Sequence, residues 1–350
     1  MIGLLGFAAI WAASRWFGWR QGVVLPALAL WWVLIMLGHL PIIADNPLRR
    51  VVGGDFGGWL VFGLLAGLVL VYRVLLGGLR SRKALSVEVE AVAAKDAGRF
   101  RPAELDRYAR HILLREIGGP GQGALKAARV LVVGAGGLGS PALMYLAASG
   151  VGVIGVVDDD VVENSNLQRQ IIHADARLGM PKVFSAEIAM RALNPFIEVR
   201  PYNRRLDEAS AAALVGEYDL VLDGTDNFET RELVNRVCVA AGKPLVWGAI
   251  TQWEGQVAVL DPARGGPCYA CIFPERPAAG LVPTCAEAGV AAPLPGVIGA
   301  MLAMEAVKVI TGAGEPLRGR LMIHDALYGE SRVIGVKRRV DCPVCGSGKA

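Results

Sequence analysis

Apolar positions follow two different patterns along the chain, long unbroken runs near the amino terminus and short alternating runs after it. Residues 23–43 contain no Lys, Arg, Asp or Glu, and Arg73 is the only such residue in the segment 57–79. Each run is long enough for a helix to cross the ~30 Å hydrocarbon layer of a membrane, and a long basic side chain near the end of a span can reach the headgroups. The pattern predicts two membrane-spanning helices. The shorter apolar run at residues 2–13 is compatible with a third span, an interfacial helix or a signal-like segment.

The remainder of the chain alternates between strand-like and helix-like patterns. Residues 84–104 are small and charged, which predicts a linker. Beyond it, helical patterns such as 141–149 and 231–241 separate several apolar runs of strand length, an alternation that predicts a parallel sheet with helices on both faces. The predicted strands are 129–133, 153–157, 197–202, 218–223 and 245–249, followed by 255–260, 320–325 and 331–337 around an apolar helix at 296–310.

Charge supports this division into a membrane region, residues 1–83, and a domain at residues 105–350. The first 83 residues hold eight basic and two acidic side chains, and the remainder holds 28 and 30. The slightly acidic remainder has no basic stripe for nucleic acid. Arg80, Arg82 and Lys83 follow the second span, so the positive-inside tendency predicts a protein of the cytoplasmic membrane whose domain faces the cytoplasm, although two arginines between the spans run against the rule.

A glycine-rich turn follows the first predicted strand of the domain. Gly134-Ala-Gly136-Gly137-Leu-Gly139 lies between a strand and a helix, where glycine lets the backbone close around a phosphate. Asp158 ends the next strand, where an acidic residue binds ribose hydroxyls. Alone, these features favour an NAD-dependent oxidoreductase.

Polar residues further along favour chemistry at a phosphorus atom instead. The segment Ser165-Asn-Leu-Gln-Arg-Gln170 follows Asp158, Lys182 comes next, and Asp226-Asn227 closes a later strand. Attack on phosphorus needs cations and metal-binding acids around the phosphates, whereas hydride transfer does not. Taken singly, Arg169 and Lys182 are typical surface charges and Asp226 a typical helix cap.

Together these motifs resemble the ThiF/MoeB/HesA family of ubiquitin-activating-type adenylyltransferases. The resemblance covers residues 107–346 and includes RYARHILLR at 107–115, the glycine turn, SNLQRQ, GMPK at 179–182, DGTDN at 223–227, two C-x-x-C pairs and TCAEAGV at 284–290. It implies a Rossmann-like sheet with C-terminal antiparallel strands. It also implies that the nucleotide donates AMP to the C-terminal Gly-Gly carboxylate of a ubiquitin-like sulfur carrier, of thiamine or molybdopterin type, with release of pyrophosphate.

The resemblance also implies roles for individual residues. Asp226 would bind magnesium beside Asn227, and Arg110 resembles an arginine that reaches into the partner subunit's site, which implies a homodimer. Arg169, Lys182, Asp226 and Cys285 are the predicted catalytic residues. ATP would contact Gly134, Gly136, Gly137, Asp158 at the ribose, and Ser165, Asn166, Leu167, Gln168, Arg169 and Lys182 at the phosphates.

All six cysteines lie beyond the predicted membrane region. Cys268, Cys271, Cys342 and Cys345 form two C-x-x-C pairs, a spacing that predicts a closed, structural zinc site. Cys285 resembles a cysteine that some family members use to handle the activated carrier, and an inert thiol is an equal alternative. Cys238 lies in an apolar helical pattern and is predicted to be core, and His111, His173 and His324 are predicted to be hydrogen-bonded structural residues.

Two rival functions remain open at this point. An oxidoreductase would leave Arg169, Lys182 and the cysteine pairs unexplained. A catalytically silent scaffold that binds a carrier at the membrane would not need the intact Arg169, Lys182 and Asp226. Within the family, a tRNA-modifying dehydratase or a peptide-activating enzyme is also compatible, although the cysteine pairs and TCAEAGV fit the sulfur-carrier branch better.

Overall fold

The computed structural model describes residues 2–16, 21–39, 52–72, 100–276 and 288–346. Contacts divide the chain into an N-terminal unit, residues 1–97, and a C-terminal unit, residues 98–350. In the described part of the N-terminal unit the helices are α1 (Ile2–Trp16), α2 (Gln21–Gly38) and α3 (Phe56–Tyr72). The ends of both predicted spans, at residues 43 and 79, lie outside the described residues.

The C-terminal unit is built on one eight-stranded sheet with strand order β3-β2-β1-β4-β5-β6-β7-β8. Adjacent strands of this order pair in parallel from β3 to β5, and adjacent strands from β5 to β8 pair antiparallel. The strands are β1 (Arg129–Val133), β2 (Val153–Asp158), β3 (Glu198–Asn203), β4 (Leu220–Asp223), β5 (Leu245–Ile250), β6 (Glu254–Leu260), β7 (Arg320–Asp325) and β8 (Glu330–Gly335). The helices in the described part of this unit are α4 (Pro102–Ile112), α5 (Gly118–Ala127), α6 (Gly139–Ser149), α7 (Lys182–Leu193), α8 (Glu208–Gly216), α9 (Phe228–Ala241), α10 (Tyr269–Ile272) and α11 (Leu294–Thr311).

Alternating side chains of β1 feed two hydrophobic cores, one on each face of the sheet. Val130 and Val132 pack into a core with α5, α6, α7 and α11, whereas Leu131 and Val133 pack into a core with α8, α9 and α10. The predicted mixed α/β sheet, with parallel strands followed by antiparallel ones, is therefore confirmed.

The boundaries differ from prediction where polar contacts override the pattern. β4 begins at Leu220 and not at residue 218, because the Tyr218 amide bonds the Val215 carbonyl at the end of α8. α4 begins at Pro102, inside the predicted linker.

α11 is the one helix of the described residues that is both long and apolar enough to cross a membrane. Half of it is buried, and its inner side chains belong to a core. Val24–Gly38 and Phe56–Tyr72 are shorter apolar helices.

Candidate active site and cysteine cluster

The glycine turn closes tightly between β1 and α6. Gly134 has a φ of 94°, a backbone conformation that favours glycine. A Cβ at Gly139 would lie 1.9 Å from the Gly134 carbonyl oxygen, and a Cβ at Gly134 would lie 3.3 Å from the backbone of Gly224. The turn therefore lies against the end of β4, at the point where the strand order reverses and open α/β sheets bind ligands.

Asp158 fixes the turn from the end of β2. Its Oδ2 accepts the Ala135 amide at 2.7 Å, and its Oδ1 accepts the Asp160 amide at 2.9 Å. Burial raises the pKa of this carboxyl above its usual value, and these hydrogen bonds and the nearby Lys182 oppose the shift. Each carboxylate oxygen has a second lone pair, so Asp158 can accept a ligand hydroxyl as well.

The segment 165–170 lies over the middle of the turn. The Arg169 Cδ is 4.0 Å from where a Cβ would stand at Gly137, and the Arg169 guanidinium donates to the Ser165 carbonyl and the Asn166 side chain. Leu167 is half-buried and Gln168 is exposed. The structure therefore brings Arg169 to the glycine turn as predicted.

Lys182 is a buried cation of the candidate site. Only 5% of the residue is exposed, and its Nζ bonds the Asp160 Oδ2 at 2.7 Å. Asp160 itself is two-thirds exposed, so the pair opens toward solvent. Asp158, Asp159 and Asp160 also lie close enough together to hold a cation.

Gln170 also lies at the glycine turn, although it was not among the predicted site residues. Its side chain is buried, with Nε2 3.7 Å from where a Cβ would stand at Gly136, and its Oε1 has no hydrogen-bond partner. A buried acceptor without a partner is rare in a folded protein and needs an explanation. The SNLQRQ motif was the signal, but no pattern distinguishes its buried glutamine from its exposed one.

Two buried side chains hold the loop that carries Asp226. The Asp223 Oδ1 accepts the Thr225 amide at 2.9 Å and its hydroxyl at 2.7 Å, while Arg231 donates to the Thr225 carbonyl at 2.7 Å. Burial raises the pKa of Asp223. Asp226 stands exposed at the tip, and the Asn227 side chain caps α9 by accepting the Thr230 amide. The helix cap is therefore Asn227 and not Asp226.

His173 connects the turn to α7, which confirms its predicted hydrogen-bonded role. Its Nε2 lies 3.0 Å from the Ala135 carbonyl oxygen and its Nδ1 lies 2.9 Å from the Ser185 hydroxyl. Burial, with the nearby charges of Lys182 and Arg177, lowers the pKa of His173 to about 4 against the hydrogen bond to Ala135. The ring is therefore neutral at pH 7.

We expect this pKa to make folding sensitive to acid. Because the folded-state pKa of His173 lies below the unfolded value, its contribution to stability is complete above about pH 6.5 and is lost as the pH falls toward 4. Between pH 7 and pH 5 the free energy of unfolding should fall by about 2 kcal/mol more in the wild type than in His173→Gln. Denaturant unfolding at both pH values measures this difference, and equal losses in the two proteins would contradict the assignment.

Arg110 is exposed on α4. On the same helix, Arg107 donates to the Leu193 carbonyl and lies over the Phe196 ring, 5.6 Å from its centroid. Arg107 is therefore held against its own chain, while the Arg110 side chain is directed to solvent.

Four cysteines meet in a buried cluster, although 70 residues separate the two pairs. The Sγ atoms of Cys268 and Cys342 are 3.6 Å apart, those of Cys271 and Cys345 are 3.4 Å apart, and those of Cys268 and Cys271 are 3.9 Å apart. Four sulfurs at 2.3 Å from a tetrahedral zinc would be separated by about 3.8 Å. The Arg339 amide also points at the Cys271 Sγ. The cluster thus has the geometry of a four-thiolate zinc site.

The other residues to which the sequence assigned a role are Cys238, His111, His324 and Cys285. Cys238 is a buried core residue of α9, as predicted, and His111 and His324 are hydrogen-bonded to Gln122 and Ser331. Cys285 lies outside the described residues. Its predicted catalytic role stays a prediction.

Comparison with known proteins identifies one family, and relatives that are named as activating enzymes or adenylyltransferases. The ThiF family matches residues 108–344. The chain is 51% identical over 245 residues to the SAMP-activating enzyme E1 of Haloferax volcanii, covering 70% of this chain and 90% of that protein. It is 50% identical over 252 residues to the sulfur carrier protein adenylyltransferase of Thermus thermophilus, covering 71% and 93%. It is 48% identical over 246 residues to the molybdopterin-synthase adenylyltransferase of Escherichia coli, covering 69% and 97%.

Solved structures support the fold. A crystal structure of E. coli MccB aligns with a TM-score of 0.61 at 24% identity, covering 69% of this chain and 72% of that one. A structure of PaaA aligns with a TM-score of 0.60 at 23% identity, covering 73% and 83%.

Proposed function

Because this chain belongs to the ThiF family, we propose that it uses ATP to adenylate the C-terminal Gly-Gly carboxylate of a ubiquitin-like sulfur carrier, with release of pyrophosphate. The observation that carries the proposal is the position of Arg169 over the glycine turn, with the buried Lys182 close to Asp158, at the switch point of the sheet. Relatives about 50% identical over most of their length are named as activating enzymes or adenylyltransferases of such carriers.

Different residues of the candidate site supply different parts of this chemistry. A carboxylate that approaches a polyphosphate meets repulsion of several kcal/mol in a poorly solvated cleft, and fixed cations offset it. Arg169 and Lys182 supply those cations. Gly134 and Gly137 let the turn close against Gly224 and Pro295, Gly136 leaves room for a phosphate beside the backbone, and Asp158 can accept the ribose hydroxyls.

Asp226 is proposed to hold the Mg²⁺ that accompanies ATP. Its carboxylate is exposed at the tip of a loop fixed by Asp223 and Arg231, and carboxylate oxygens are ligands that Mg²⁺ prefers. The bound ion would supply charge neutralisation at the phosphates. The loop thus presents an oriented ligand without depending on the metal for its own shape.

The four-cysteine cluster is proposed to bind a structural Zn²⁺. Its sulfur separations of 3.4 to 3.9 Å fit one tetrahedral ion, and all four cysteines are buried. Four protein ligands leave no open position for substrate. The zinc would therefore fasten the segment around Cys342 and Cys345 to the segment around Cys268 and Cys271.

The N-terminal unit is proposed to hold the enzyme at the cytoplasmic membrane, with the C-terminal unit in the cytoplasm. Its helices expose many large apolar side chains, among them Leu5 at 61%, Leu64 at 66% and Leu68 at 66%. Such a surface is unfavourable in water and typical of contact with lipid. The basic residues that follow α3 in the sequence favour a cytoplasmic location for the rest of the chain.

One assay tests both adenylation and the proposed homodimer. Carrier-dependent exchange of pyrophosphate into ATP should be lost in Asp226→Ala, which lacks the proposed metal ligand, and in Arg110→Ala, which lacks the side chain proposed to reach the partner's site. If Arg110 acts across the dimer, mixing the two inactive variants assembles one intact site per mixed dimer and restores roughly a quarter of the wild-type rate. A mixture without activity would contradict the action of Arg110 across subunits, and full activity of Asp226→Ala would contradict the metal site.

A further inference from the structure

The helices of the N-terminal unit pack through tryptophan rings laid on glycines. The Trp31 ring of α2 occupies the space beside Gly6 of α1, where a Cβ would lie 2.2 Å from the ring. The Trp32 ring lies against Gly63 of α3 in the same way, at 2.3 Å. These close approaches join α2 to both neighbours, because glycine lets a helix backbone accept a flat ring.

α1 also contacts α3 directly. The rings of Phe7 and Phe62 are 5.6 Å apart between centroids, and the Trp59 ring lies beside Gly3. The start of α1 therefore meets the start of α3, while both cross the later half of α2.

Polar groups of the large side chains are satisfied inside this bundle. The indole N–H groups of Trp31, Trp32 and Trp59 donate to the carbonyl oxygens of Gly3, Trp59 and Gly53 at 2.8 to 3.0 Å. A hydrocarbon environment penalises unpaired donors by several kcal/mol each. Internal pairing with an apolar exterior is therefore the arrangement that a bilayer requires.

α1 lacks the composition of an interfacial helix. Residues 2–13 contain no charged side chain, and the polar residues Ser14 and Arg15 come only at its end. A helix that lies in the membrane plane needs a polar face along its length, whereas α1 exposes Leu4, Leu5 and Trp11. Trp16 is 86% exposed beside Arg15 at the end of the helix, which is the composition of an anchor at the membrane surface.

We propose that the N-terminal unit crosses the membrane three times, with α1 as the first span and the amino terminus on the side opposite Arg80, Arg82 and Lys83. This inference rests on the proposed membrane location and adds the third span and the orientation. This orientation leaves six of the eight basic residues of the region on the cytoplasmic side, as two spans also would, so the third span rests on the packing and composition of α1. The six are Arg15, Arg20, Arg73, Arg80, Arg82 and Lys83.

Cysteine labelling of the full chain tests the orientation. Single variants Ile2→Cys, Ser14→Cys, Asn46→Cys and Ser86→Cys are treated with a membrane-impermeant maleimide in intact spheroplasts and after permeabilisation, and labelled peptides are identified by mass spectrometry. Ile2→Cys and Asn46→Cys should label in intact spheroplasts, whereas Ser14→Cys and Ser86→Cys should label only after permeabilisation. Protection of Ile2→Cys in intact spheroplasts would overturn the third span. Extraction of the chain by carbonate would instead overturn the membrane location.

A pair of glycine variants tests the packing. A leucine at Gly6 would collide with the Trp31 ring, whereas no atom lies within 4 Å of a Cβ at Gly67 on α3. In detergent, Gly6→Leu should lower the thermal midpoint of the tryptophan near-ultraviolet dichroism, and Gly67→Leu should leave it unchanged. An unchanged midpoint in both would overturn the packing of α1 against α2.

Discussion

Lys182→Met is expected to slow carrier-dependent ATP–pyrophosphate exchange by on the order of a hundredfold or more, the usual cost of losing one fixed group that stabilises transition-state charge. Lys182 is buried, lies near Asp158, which fixes the glycine turn, and has Asp160 as its ion-pair partner. Methionine retains most of the volume of the stem and removes the charge. Asp160 remains two-thirds exposed and solvated, so little stability is lost.

The exchange rate, the affinity for ATP and the thermal midpoint together distinguish a local effect from unfolding. Lys337→Met, at an exposed position after β8, is the matched control and should retain the wild-type rate. A Lys182→Met protein with an unchanged exchange rate would remove Lys182 from the proposed site.

Loss of the proposed zinc site should produce the largest change in stability. Cys271→Ser replaces one of four buried thiolates, and we expect bound zinc to fall from one per chain toward none and the free energy of unfolding to fall by more than ~4 kcal/mol, since metal binding and folding are coupled. Zinc content and denaturant unfolding measure the two effects.

Cys238→Ala provides the control for that experiment. Cys238 is also buried, but it lies on α9 in a different core cluster from the four cysteines. Its replacement should cost about 1–2 kcal/mol through lost packing and leave zinc content unchanged. Equal zinc content in Cys271→Ser and the wild type would contradict the four-thiolate site.

The sequence predicted the central strands well because β1 and β2 are buried on both faces. β1 and β7 were predicted to the residue, and the cysteine pairs were predicted to meet because C-x-x-C spacing favours one ion wherever the pairs lie in the chain. The predicted start of β4 was wrong because Tyr218 is apolar enough to continue the run, but its amide bonds the Val215 carbonyl at the end of α8.

Features that depend on distant partners were beyond prediction from sequence. The burial of Gln170 depends on how the segment 165–170 packs over the glycine turn. The same holds for Trp31 and Trp32, whose places against Gly6 and Gly63 follow from helix packing and not from hydrophobicity.

The most direct test of the account is the mass of a candidate sulfur carrier after incubation with ATP, Mg²⁺ and the full chain in detergent. We expect a carrier that gains one AMP at its C-terminal carboxylate, with no gain when its last glycine is removed or when the enzyme carries Asp226→Ala. Unmodified carrier under every condition, with folded protein that binds both ATP and the carrier, would contradict adenylation and support a binding scaffold.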